Sequence, residues 1–201
     1  MIPRHALPLM IVSLALAGCT QVVVPEKLAT SLRSIQTELA LGRGEVVQTT
    51  DALRNLRENK GNDVKPQYVT FTQRLTQLEN KVGGMQIVGN ISREKANAFF
   101  KDWETQISQI QDESVARSTE DRRKQTIDEY TKLRAKIQEL REAYTPYYAS
   151  MNDVRNAMAV DTTQQGAAAA RPAMDKAIDG EKTVLERLDE VNKTISAMIG
   201  A

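Results

Sequence analysis

The chain has 201 residues, 26% of them charged, with 27 Lys and Arg against 26 Asp and Glu, one histidine and one cysteine. Near neutrality excludes the broad basic field that nucleic acid or an anionic surface requires. His5 and Cys19 both sit at the start, so the rest of the chain has no residues for Ser-His, Cys-His or ordinary zinc chemistry, and no disulfide can hold it together.

Arg4 is followed by a nearly unbroken apolar run from Ala6 to Gly18. A membrane-spanning helix needs about 20 apolar residues, so this shorter run reads as a secretory signal peptide over residues 1–18. The segment Leu16-Ala17-Gly18-Cys19 resembles the bacterial lipobox. That resemblance implies that the Cys19 thiol is the lipid-attachment point: it is alkylated by diacylglycerol, the signal is removed, and the new amino group is acylated. Two or more chains make such anchoring essentially permanent. Thr20 in place of Asp after the cysteine favours the outer membrane, facing the periplasm, over the inner membrane. Residues 19–25 are then the lipidated Cys and a short linker, and residues 26–201 form the body of the protein.

That body reads as helix throughout. In the first helix, about residues 26 to 60, Leu28, Leu32, Ile35, Leu39, Val46, Leu53 and Leu56 recur at steps of three and four, with gaps at Gly42 and Thr49. A repeat of this kind keeps one apolar seam on one side of a helix. Asn59 to Asp63 ends it, with Gly61 suited to a left-handed cap and Pro66 to the next first turn. The second helix, about 65 to 115, carries Tyr68, Phe71, Leu75, Leu78, Val82, Met85, Ala96, Phe99, Trp103 and Ile110, with gaps at Gly89, Ser92 and Gln106. Gly83, Gly84 and Gly89 each cost a helix about 1 kcal/mol and predict a bend or opening there, while the heptad phase continuing from Val82 through Met85 to Ala96 favours one kinked helix over two.

Ser118 or Thr119, followed by Glu120 and Asp121, predicts the next N-cap. The third helix runs Tyr130, Leu133, Ile137, Leu140, Tyr144, Tyr147, Met151, Val154 and Met158 without a gap, with Pro146 predicted to kink it. Asp161 to Gly166 reads as a turn, and Ala167 to Ala170 with Pro172 as the lead into a fourth helix carrying Met174, Ala177, Val184, Leu188, Val191, Ile195 and Met198, with a gap at Glu181. No stretch alternates with period two, so no strand is predicted. The fold class is all-α: an elongated antiparallel four-helix bundle or coiled coil with a protruding hairpin of the second and third helices. At 1.5 Å per residue that hairpin is about 65 to 75 Å long, its two-stranded tip lies around residues 98 to 132, and it points back toward the lipidated end.

No cofactor is expected. The carboxylates are scattered among Lys and Arg rather than clustered for a metal or an acid-base pair, and the glycines match no phosphate loop. The reading is therefore non-enzymatic. Two aromatic groups are candidate partner contacts: Phe100 and Trp103 near the tip, and Tyr144, Tyr147 and Tyr148 around Pro146, although packing explains both and is the favoured reading. The expected partners are the membrane, through the lipid on Cys19, and an envelope protein; a second copy of the chain could complete the narrow seams, and nucleic acid is excluded.

AFFKDWETQISQI at 98–110, SVARSTEDRRKQTIDEY at 114–130 and KLRAKIQELREAYTPY at 132–147, behind the lipobox, resemble an uncharacterised family of bacterial envelope lipoproteins classed as a domain of unknown function. That resemblance carries no catalytic or ligand residues over. The expected role is a lipid-anchored periplasmic coiled-coil scaffold, tether or regulatory adaptor. The alternative is a holdase-like or lipid-handling periplasmic binding module, and a carboxylate-dependent hydrolase is a distant third.

Overall fold

The computed structural model describes residues 23–61 and 63–201. The proposed signal peptide and Cys19 lie outside them. Four helices follow in order: α1 Glu26–Glu58, α2 Lys65–Ile107, α3 Glu113–Val160 and α4 Gln164–Ile199. Among the described residues there is no strand, and no helix is long and apolar enough to cross a membrane. Each helix runs antiparallel to the next. α1 packs along both α2 and α4, α4 packs along α3, and α2 meets α3 far less closely.

The heptad seams explain this packing, gaps included. Leu32, Leu53, Leu75, Leu78, Met151, Val154 and Ile195 are all fully buried. At the gaps, Thr49 is buried and its hydroxyl donates to the Arg74 carbonyl across the α1–α2 seam at 3.2 Å. Ser92 donates to the Ser31 carbonyl at 3.5 Å. Gly42 is buried because Met85 fills its place: a Cβ there would lie 2.7 Å from Met85 Sδ. Glu181 is 7% exposed and ion-pairs with Arg54, which also holds Asp51 at 2.7 Å. Thr49, Ser92, Gly42 and Glu181 thus continue the seams instead of interrupting them.

The turns differ from expectation in three places. Gly61 does not take the left-handed conformation; α1 ends on extended Asn59, whose side chain binds the turn through Gly61 N at 2.7 Å and the Asp63 carbonyl at 3.0 Å. The cap of α3 is Asp112, not Ser118 or Thr119. Its carboxylate accepts from Ser114 N at 2.8 Å and Val115 N at 3.1 Å, a charged acceptor at the positive end of the helix, which a hydroxyl does not match. Thr119 instead bonds back to the Val115 carbonyl at 2.8 Å. α4 likewise begins earlier, capped by Thr163. Gly166 lies in its first turn because any Cβ would come 2.1 Å from the Asp161 carbonyl oxygen, and Pro172 falls inside the helix. Both α2 across Gly83 to Gly89 and α3 across Pro146 are continuous.

With 48 residues α3 is about 72 Å long. The start of the described chain is fixed beside the tip end of the bundle: Val24 N donates to the Met198 carbonyl at 2.8 Å, and the Arg122 guanidinium to the Val23 carbonyl at 3.2 Å. The pairing of Ser31 with Ser92 places Val24 level with about residue 99 of α2. From there to Ile107 the α2–α3 hairpin protrudes alone for about 12 Å.

Candidate functional site

The two aromatic groups occupy opposite ends of the α2–α3 seam. At the tip end Phe99 contacts Phe100 at 5.6 Å and Trp103 at 5.3 Å, and Phe100 meets Tyr130 of α3 edge-on at 5.7 Å. An ion pair between Arg123 and Glu104 at 3.7 Å continues that contact toward the turn. At the other end Tyr148 donates to Glu79 of α2 at 2.6 Å, and Arg155 donates to the same oxygen at 2.9 Å. Tyr68 then donates to the Arg155 carbonyl at 3.0 Å. Tyr144 stacks on Tyr148 with ring centroids 5.7 Å apart.

Tyr147 is different. It is 1% exposed and packs against Gly180. Its hydroxyl lies 2.9 Å from Thr50 Oγ1 and donates to the Val46 carbonyl at 3.3 Å. Burial pushes its phenol well above the usual range, against the Thr50 hydrogen bond. Burial does the same to Tyr144. In this fold Tyr147 is a packing residue, whereas half-buried Phe100, Trp103, Tyr144 and Tyr148 join or flank the two places where α2 holds α3.

Between those two clasps the helices part, leaving an open cleft of about 930 Å³. Its floor is Leu39 and Val46 of α1 with Val184, Leu188 and Val191 of α4; its walls are Val82, Met85 and Gly89 of α2 and Ile137, Leu140 and Tyr144 of α3. From Tyr130 to Tyr144 it runs about 21 Å along α3. The polar lining includes Gln86, Asn90, Arg93, Arg134, Gln138 and Arg141, plus Glu38, whose carboxylate already has Lys81 at 3.5 Å. Among the described residues no group of three His, Cys, Asp or Glu is placed to hold a metal ion. What this lining offers is apolar surface with amide and guanidinium donors along one side, the composition of a binding pocket.

None of Arg93, Arg134 and Arg141 stood out in the sequence, because an arginine in a heptad helix reads as a solvated face. A signal was present nonetheless. Arg134 and Arg141 are seven residues apart, each directly behind a seam leucine, and the gaps at Gly42 and Gly89 both line the cleft. At Gly89 nothing replaces the missing side chain, so core volume is lost there, whereas Met85 fills the place at Gly42.

A model of the family described as a protein of unknown function (DUF2959) matches residues 28–198, a span that takes in all four helices. No curated protein and no solved structure matches the chain.

Proposed function

The chain belongs to the DUF2959 family, and on that premise we propose that it is a lipid-anchored, non-enzymatic helical adaptor of the bacterial envelope, tied to the periplasmic face of the outer membrane through Cys19 and meeting its partner at the membrane surface. The supporting observation is the contact of Arg122 with the Val23 carbonyl, which puts the chain start and the hairpin tip at one end of the rod. Four Cα–Cα steps separate Cys19 from Val23 and span at most about 14 Å. The tip advances about 12 Å beyond the same plane. A lipid on Cys19 therefore brings the α2–α3 turn to the level of the headgroups. There the turn presents half-buried Trp103, Ile107 and Ile110 and half-exposed Val115 to a partner.

The test is the mass and membrane partitioning of the full-length protein and of Cys19→Ala, combined with photocrosslinking from position 110. Acylated mass lost in the variant, with crosslinks to lipid or to a membrane-embedded protein, is the expected result. An unmodified wild-type cysteine, or crosslinks only to freely diffusing proteins, sinks the proposal.

The cleft favours a second reading, a lipid-handling or holdase-like module. An apolar channel of this size is costly to leave in contact with water and gains from an apolar occupant. Saturable binding of an apolar dye by the folded protein, displaced by lipid, would support it; no dye binding below the melting transition would remove it.

A further inference from the structure

Resting on the lipid-handling reading, we propose that the α2–α3 cleft binds a single-chain lipid with an anionic phosphate head, its acyl chain on the apolar floor and its phosphate between Arg93 and Arg134.

Charge is the first argument. Among the described residues only Arg93, Arg117, Arg134 and Arg141 have guanidiniums with neither an ion pair nor a hydrogen bond, and three of these four line this one cleft. The lining's one carboxylate, Glu38, is already neutralised by Lys81. The cleft is therefore positive where the molecule as a whole is balanced, and guanidinium forks match phosphate oxygens in pairs.

Register supplies the second. The Phe100–Tyr130 and Glu104–Arg123 contacts set the antiparallel phase of α2 against α3, and continued down the seam it places Arg93 within a turn of Arg134. Both cations act on the Tyr130 phenol, opposing the upward push of its burial. Tyr130 is 9% exposed, and its hydroxyl has no hydrogen-bond partner among the described residues. Two guanidiniums and a free phenol offer more donors than the two oxygens of a carboxylate can use, and a phosphate uses them better.

Length is the third. The cleft runs about 21 Å from Tyr130 to Tyr144, and one leaflet's acyl chain spans half of a hydrocarbon core of about 30 Å. One chain with its head fits that length.

The experiment uses the full-length protein in phosphatidylcholine vesicles doped with photoreactive lysophosphatidate or, separately, photoreactive lysophosphatidylcholine, with labelled peptides mapped. Lysophosphatidate is expected to label α2 and α3 between the clasps. Arg93→Gln with Arg134→Gln should cut that labelling about tenfold, the loss expected for charge-assisted hydrogen bonds, and reduce the weaker lysophosphatidylcholine labelling less, because its phosphodiester has a single charge already paired with choline. Gly89→Phe should block both lipids. A Cβ at Gly89 meets nothing within 4 Å, so a ring fits there at the expense of the cleft alone; unchanged helicity and melting confirm that the fold is kept. Equal cleft labelling by both lipids, indifferent to the arginines, overturns the anionic-head assignment while the lipid-handling reading stands. Labels confined to the tip or to the outer faces, or none from either lipid, overturn both.

Discussion

The closed and open sides of this bundle are written in the same heptad code and behave differently. α4 buries eleven residues along its 36, facing α1 and α3; α2 buries five along its 43. The contrast does not come from the number of apolar residues. α4 meets neighbours on two sides, so Ile178, Leu185 and Ile199 beside its main seam also pack against the core. α2 has one close neighbour, α1, and its face toward the cleft carries Gly89, where a side chain would have to bridge to α3. A stripe can match its period and still leave a helix half-partnered, because period sets which way the side chains point while their volume decides whether the gap is filled.

Deleting a side chain from each side should give the largest difference. Leu53 is fully buried on the closed side, so Leu53→Ala should cost about 3 kcal/mol, transfer and cavity together. Ile137 is half-buried beside space that is already open, so Ile137→Ala creates little new cavity and should cost about 1 kcal/mol. Chemical denaturation of the two variants measures this. Equal losses would mean that the cleft is closed in solution and that the two sides do not differ.

Tyr147 belongs to the closed side and gives a pH dependence. Its phenol is buried and neutral, and its ionisation is pushed above the unfolded value of 10.0. The folded protein therefore keeps this proton when the unfolded chain has lost its own. Stability is flat below pH 10 and falls as the pH rises beyond it, by about 1.4 kcal/mol at pH 11 from Tyr147 alone. The phenolate absorbance that Tyr147→Phe removes should, in the wild type, appear together with loss of helix, and the variant should lose the Tyr147 share of the slope while Tyr144, raised by the same burial, keeps its own. That difference signal appearing well before helix is lost would show that water reaches the Thr50–Tyr147 contact in the native state.

Four helices, their antiparallel order and the long α2–α3 pair could be read from the seams alone, because leucines spaced at three and four have one helical interpretation. The caps were harder to read. Asp112 and Ser118 are both good cap residues, and what chooses between them is the carboxylate's reach to Ser114 N and Val115 N with the seam register behind it, a geometry that a string of letters does not contain. The aromatic groups were found, but not the contacts they make within the fold. A tyrosine at a seam position predicts burial, whereas Tyr148 bonding to Glu79 and Phe100 meeting Tyr130 as clasps require knowing that α2 and α3 separate between them. The cleft is a property of four helices at once and leaves only the faint signature of the gap at Gly89.

The glycines sharpen the comparison at a smaller scale. A Cβ added at Gly83 or Gly84 meets nothing within 4 Å, so alanine there gains helix propensity without a clash. Each substitution should add up to about 1 kcal/mol. The same change at Gly42, on the close α1–α2 contact, would drive a methyl into Met85 and should lower stability. If Gly83→Ala and Gly84→Ala also destabilise, α2 has a packed neighbour at those positions.

The smallest effect concerns the one place where chain connectivity, rather than packing, joins α2 to α3. Asp112 is exposed, and its ionisation is held below the usual carboxylate value first by the Ser114 hydroxyl and then by the backbone N–H groups of Val115 and Ser114. A lowered value means that the cap contributes while the carboxylate is charged and is lost as pH falls through it, so the first turn of α3 should fray in acid before the bundle responds. Asp112→Ala should produce the same fraying at neutral pH: faster amide exchange over residues 114–120, unchanged exchange over residues 147–158, and no measurable shift in global melting. The reason for this separation is mechanical. Residues 114–120 belong to the protruding hairpin, which no other helix covers, whereas Tyr147, Met151, Val154 and Met158 are locked against the rest of the bundle. Exchange accelerating together in both stretches would show that the tip and the closed side unfold as one unit, and the division between open and closed sides would then be one of shape alone and not of stability.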